Sequence, residues 1–108
     1  MHAVFITFRS AVSPVERADD YRQFAEALRD GAAPGFISKT WLSDGQTVGG
    51  FYHFQDRQAA DSFLEGMFAA SVPTDPNVSD IRIERYEINE AMSEITNGLH
   101  AVTASGGV

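Results

Sequence analysis

Residues 35–55 read GFISKTWLSDGQTVGGFYHFQ, and the fold follows from how this stretch is parsed. Two runs rich in aromatic and β-branched residues, GFISKTWLS (35–43) and QTVGGFYHFQ (46–55), flank the dipeptide Asp44-Gly45. Such residues favour strands because bulky side chains pack well on a pleated surface. Asp-Gly suits a two-residue hairpin turn, whose central positions take positive φ. With the turn at Asp44-Gly45, Trp41 falls opposite Val48, Lys39 opposite Gly50 and Ile37 opposite Tyr52. Side chains alternate across a strand, so these residues share one face with Phe54. The other face then carries Phe36, Leu42, Phe51 and His53.

Upstream, HAVFITFR (2–9) is apolar on both alternating faces, the pattern of a central strand covered on two sides. Ser13-Pro14-Val15-Glu16 follows, with serine suited to a helix cap, proline to the first turn and Glu16 to a return hydrogen bond. Val15, Ala18, Tyr21, Ala25, Leu28 and Ala32 recur every three or four residues, as one buried helix face requires. Gly31 and Pro34 end that helix.

Downstream, Asp56 is a second cap, and Ala60, Phe63, Leu64, Met67 and Phe68 again follow helical spacing. A loop, SVPTDPN (71–77), is broken twice by proline. A last strand over about residues 79–88 leads to Asn89, which would cap a short helix carrying Met92, Ile95 and Leu99. Residues 1–100 form one domain in this reading, and the small, polar tail 101–108 would fray.

The order βαββαβ predicts an α+β, ferredoxin-like fold: one antiparallel sheet with two helices on one face. Right-handed crossovers place the first strand centrally and the hairpin towards one edge. Two helices cover only one sheet face, yet the strands are apolar on both. An open face bearing Phe36, Leu42, Phe51 and His53 would exceed the apolar patch a monomer usually tolerates. A homodimer packing sheet on sheet is therefore expected.

The whole chain has 108 residues, too few for a second core of ~50 residues or more. Eight basic and fifteen acidic residues give a formal charge of −7 and a pI near 4.7. Phosphate backbones and anionic lipid would be repelled, so neither nucleic-acid nor membrane partners are expected. The apolar run from Ala3 to Ile6 is too short for a signal-peptide core or a membrane span. A cytoplasmic protein is the simplest reading. Cysteine is absent, which removes disulfides, thiolate metal sites and a cysteine nucleophile.

Pro34-Gly35-Phe36, then Lys39 and Trp41, then Gly49-Gly50, Tyr52, Phe54 and Asp56, and finally Asn89-Glu90 resemble the YdhR-like monooxygenase family. That branch is named by similarity to the antibiotic-biosynthesis monooxygenases of the dimeric α+β barrel superfamily. The likeness covers roughly residues 4–95. It implies a dimer of ferredoxin-like subunits, each with a pocket between sheet and helices, and relatives that oxidise aromatic substrates with oxygen and without metal or flavin. Haem-degrading enzymes of the same superfamily resemble this layout but carry a histidine ligand on the second helix. Residues 56–70 contain no histidine, which speaks against haem.

Standard catalytic signatures such as G-x-S-x-G, GxxxxGK[ST], G-x-G-x-x-G and H-E-x-x-H are missing. Three histidines lie at positions 2, 53 and 100, so a shared metal would need both termini to fold over His53. No metal or other cofactor is expected. The face bearing Lys39, Trp41, Tyr52 and Phe54 is the candidate substrate site. Lys39 is the only lysine; in a partly dry cavity it could favour a phenolate, whereas at a sheet edge its ammonium would stay in water. Trp41 and Tyr52 could wall an aromatic ring or serve as ordinary core. His53 could be a general base, but its register puts it on the dimer-facing side, where an interface role fits better. Gly49-Gly50 reads as a bulge or a coiled strand. Arg82, Glu84, Arg85 and Glu87 read as a solvated edge or an intersubunit ion-pair set.

Two functions are therefore expected as alternatives. The first is a cofactor-independent monooxygenase that oxidises a small aromatic or phenolic substrate, its general base unassigned. The second is a non-catalytic dimeric barrel that binds a small apolar ligand or acts as a stress-related interaction module.

Overall fold

The structure, a computed structural model, describes residues 1–99; His100 and the tail 101–108 lie outside them. β1 (His2–Ser10), α1 (Ala18–Arg29), β2 (Phe36–Asp44), β3 (Thr47–Phe54), α2 (Arg57–Phe63), β4 (Val78–Glu87) and α3 (Glu90–Ile95) follow in that order. A π-helical turn, Leu64–Phe68, extends α2, and a 3-10 turn, Val72–Thr74, leads towards β4. The four strands form one antiparallel sheet ordered β2-β3-β1-β4. The fold class is thus α+β and ferredoxin-like, with β1 central and the β2–β3 hairpin at one edge.

One face of the sheet packs against the helices. Val4, Ile6 and Phe8 of β1 join Val48, Tyr52 and Phe54 of β3, and Leu28, Ala60, Phe63 and Phe68 close over them. Phe54 and Phe63 are the largest fully buried side chains. Asp56 caps α2 as its sequence position suggests, accepting a hydrogen bond from the Ala59 N–H at 2.8 Å. Asn89 does the same for α3 through the Met92 N–H at 3.1 Å. Met92 and Ile95 stand exposed on this short helix.

The hairpin turn sits one residue later than Asp44-Gly45. Asp44 pairs with Thr47, leaving Gly45 and Gln46 as the central residues. Only Gly45 has positive φ, +62°, the requirement of a type II′ turn at its first central position. Cross-strand partners shift by two: Trp41 faces Gly50, Lys39 faces Tyr52 and Ser43 faces Val48. A two-residue slip preserves side-chain parity, so Lys39, Trp41 and Tyr52 still share a face. A bulge between Phe36 and Ser38 then reverses the parity of Phe36. Phe36 meets Phe54 edge-to-face at 6.0 Å, on the helix side rather than the open side.

Gly49-Gly50 is not a bulge, because the β1–β3 ladder runs through it without a shift. A Cβ on Gly49 would strike the Ile6 carbonyl, and one on Gly50 would strike the Lys39 side chain. Backbone proximity and side-chain room explain the pair. At the N-terminal end of α1, Ser13 Oγ accepts from the Glu16 N–H at 3.2 Å. This cap closes a separate turn, since Arg17 leaves helical angles at ψ 7° and the helix begins at Ala18. Val15 is consequently 85% exposed, and Ala32 is exposed beyond the helix end.

On the other sheet face, Phe5 and Phe51 meet edge-to-face at 6.1 Å, and Phe51 meets His53 at 5.2 Å. None of the described helices is long and apolar enough to cross a membrane.

Candidate functional site

A cavity of about 230 Å³ lies between the helix-side sheet face, α1 and the segment leading into β4. Ile6, Phe8 and Val48 form its floor, with Gly49 and Gly50 beside them. Tyr21 and Phe24, three residues apart on α1, lean over β2. Their rings lie 5.5 and 6.3 Å from that of Trp41. Phe68, Ser71 and Val72 close the opposite wall.

Lys39 enters this space from β2. Its Nζ lies 3.2 Å from the Trp41 ring centroid, 4.6 Å from that of Tyr52 and 5.1 Å from that of Phe24. The missing side chain at Gly50 provides the room for its stem. No carboxylate pairs with the amine among the described residues. Burial lowers the ammonium from its ordinary value to about 7. The ring faces attract the cation and so oppose that fall. Tyr52 is pushed the other way, well above the ordinary phenol range, because burial penalises its anion. Its hydroxyl therefore stays protonated and can only donate or accept a hydrogen bond.

The cavity rim is polar. Arg17 reaches Asp75 at 2.8 Å and Asp20 at 3.3 Å, joining α1 to the loop before β4. The Tyr21 hydroxyl is raised chiefly by burial, with Arg17 acting against that trend. Spacing on α1 pointed to Tyr21, but Phe24 was missed because the reading followed Ala25 instead. Asp75 carries no local signal, since its place at the rim depends on how a proline-broken loop folds back.

Of the residues singled out from sequence, Lys39, Trp41 and Tyr52 are brought together. Phe54 is fully buried and backs Tyr52, their rings parallel at 6.1 Å, and it does not line the cavity. His53 sits on the opposite sheet face, where burial lowers its pKa and its Nδ1 has no partner among the described residues. His2 lies at the far end of β1. Its Nδ1 bonds Glu87 at 2.8 Å, while its Nε2 accepts from Arg85 at 3.3 Å. Arg85 also binds Asp61 at 2.6 Å, so this part of the β4 charge pattern ties the sheet to α2. Among the described residues no group of three or more His, Cys, Asp or Glu side chains is placed to hold a metal ion.

No curated protein matches the chain significantly in sequence. Solved structures match its shape. A protein of unknown function from Nitrosomonas europaea, NE2512, superposes with a TM-score of 0.61 at 26% identity, covering 82% of this chain and 88% of that one. SnoaB from Streptomyces nogalater, described as a cofactor-independent oxygenase, gives 0.62 at 16% identity over 82% and 93%. A Deinococcus radiodurans protein described as a "putative antibiotic biosynthesis monooxygenase" gives 0.59 at 20% identity over 82% and 93%. The latter two likenesses concern the fold. Sequence carries the assignment further, because residues 4–99 match the profile of the family described as "Putative mono-oxygenase ydhR". The chain belongs to the ydhR mono-oxygenase family.

Proposed function

We propose that the chain is a cofactor-independent monooxygenase acting on a small aromatic substrate with an ionisable phenol or an acidic C–H. The observation that carries this reading is the Lys39 amine, without an ion-pair partner among the described residues, inside a ring-walled cavity of about 230 Å³. Trp41 and Tyr52 would flank a planar substrate, and Phe54 would hold Tyr52 in place from behind. Near neutral pH part of the Lys39 population is the free amine, which can accept the substrate proton. The resulting ammonium then faces the substrate anion, an attraction strengthened by the low-dielectric surroundings. An electron-rich carbanion of this kind can reduce oxygen itself: R₂CH₂ + O₂ gives R₂C=O + H₂O. The substrate supplies every electron, and the peroxide intermediate loses water as the carbonyl forms. SnoaB, of similar fold, is described as a cofactor-independent oxygenase, which favours this scheme.

The same reading makes the working unit a homodimer. The open sheet face carries Phe5, Phe51 and His53, and a second copy would cover the rings and offer His53 Nδ1 a partner. The reaction is tested by oxygen uptake with anthrone-type and dihydroxynaphthalene substrates. Uptake matched by product is expected, with a rise in kcat/KM through about pH 7 as Lys39 loses its proton. Lys39→Met should lower the rate by ~10²-fold or more. Turnover no higher than that of the variant across the panel rejects the reading.

A further inference from the structure

The Lys39 amine is a nucleophile as well as a base whenever it is unprotonated. It is the only side-chain amine in the chain. Three rings surround it at 3.2, 4.6 and 5.1 Å, and no ion-pair partner among the described residues holds it as a cation. The cavity in front of it has space for a flat organic molecule and is lined mainly by Ile6, Phe8, Val48 and aromatic rings. A neutral amine at the wall of a mostly apolar cavity is placed to attack the carbonyl of an aromatic molecule bound there.

We propose that this cavity captures small aromatic aldehydes and ketones covalently, as an imine on Lys39. The amine lone pair attacks the carbonyl carbon, forming the C–N bond while the C=O π pair moves to oxygen. A proton passes from nitrogen to that oxygen, giving a carbinolamine. The nitrogen pair then forms the C=N bond as the C–O bond breaks, and the hydroxyl leaves as water with the remaining N–H proton. No electrons enter or leave, and hydration reverses every step. The Tyr52 ring, its centroid 4.6 Å from the amine, forms part of the cavity wall against which the adduct would pack. Burial also leaves part of the Lys39 population unprotonated near pH 7. The inference uses the cavity of the oxygenase reading but not its reaction.

The test treats the full chain with 2-naphthaldehyde near neutral pH, reduces with cyanoborohydride and maps the adduct by mass spectrometry. The N-terminal amine of Met1, which is bound to Glu90 at 2.9 Å, is the internal comparator. The expected result is a single arylmethyl group, placed on Lys39 about tenfold faster than on Met1. That preference should vanish in urea, where both amines meet solvent, and Val48→Phe, which fills the cavity floor, should slow labelling of Lys39. Equal labelling of the two amines in the folded chain overturns the inference, as does a Lys39 preference that persists in urea. Oxygen uptake is read separately. A labelled Lys39 without oxygen uptake keeps this inference and removes the oxygenase reading, and oxygen uptake with an unlabelled Lys39 does the reverse.

Discussion

Lys39 carries a cost as well as a chemistry. In the unfolded chain its ammonium has an ordinary pKa near ~10.4, whereas in the fold burial lowers it to about 7. Between those values the unfolded state binds a proton that the folded state does not, so stability rises with pH across that window. Below about pH 7 the penalty is fully present. Lys39→Met removes it, and after discounting for partial exposure the variant should be more stable by on the order of 1–3 kcal/mol at pH 6. The difference between variant and wild type should shrink towards pH 10. Urea midpoints measured at both pH values check this, and a pH-independent difference would contradict it. Gly50 is the complementary residue. A methyl there would meet the Lys39 stem and crowd the Tyr52 ring. Gly50→Ala should destabilise by about 1–3 kcal/mol and weaken binding of aromatic ligands, as read by thermal shift and titration.

Capping shows how much an element owes to single positions. Asp56 accepts the Ala59 N–H at the start of α2, and the helix it opens delivers Ala60 and Phe63 to the core. Asp56→Ala should therefore cost about 1 kcal/mol in chemical denaturation, with the sheet intact by circular dichroism. Such caps were legible because proline, glycine, aspartate and asparagine punctuate the chain at element ends. Strand parity was legible for the same local reason, and the placement of Lys39, Trp41 and Tyr52 on one face survived a turn read one residue early. The bulge at Ile37 was not legible. It arises where β2 bends to bring Phe36 against Phe54, a demand set by packing and not by neighbours in sequence. The rim formed by Arg17 and Asp75 was hidden for a similar reason, since its members lie 58 residues apart and meet only after folding.

For the whole molecule, the open sheet face sets the expectation. Phe5, Phe51 and His53 form a half-buried ring cluster on the face opposite the helix-packed core. Light scattering at micromolar concentration should return twice the 11.8 kDa chain mass. Phe51→Glu should return the single-chain mass with its secondary structure retained, because a charge cannot be left unpaired in such an interface. A monomeric wild type would remove the dimer from the proposed function.

The central position of β1 has a consequence for how the chain reaches its shape. Val4 pairs on one side with Tyr52 and on the other with Arg85. β1 therefore gains its first ladder only with β3, some 45 residues later in the chain, and its second only with β4, which ends at Glu87. Closing loops of that size before any ladder can reward them makes assembly slow compared with a helical bundle. Until those ladders close, the apolar segment 3–8 has no strand beside it to satisfy its backbone.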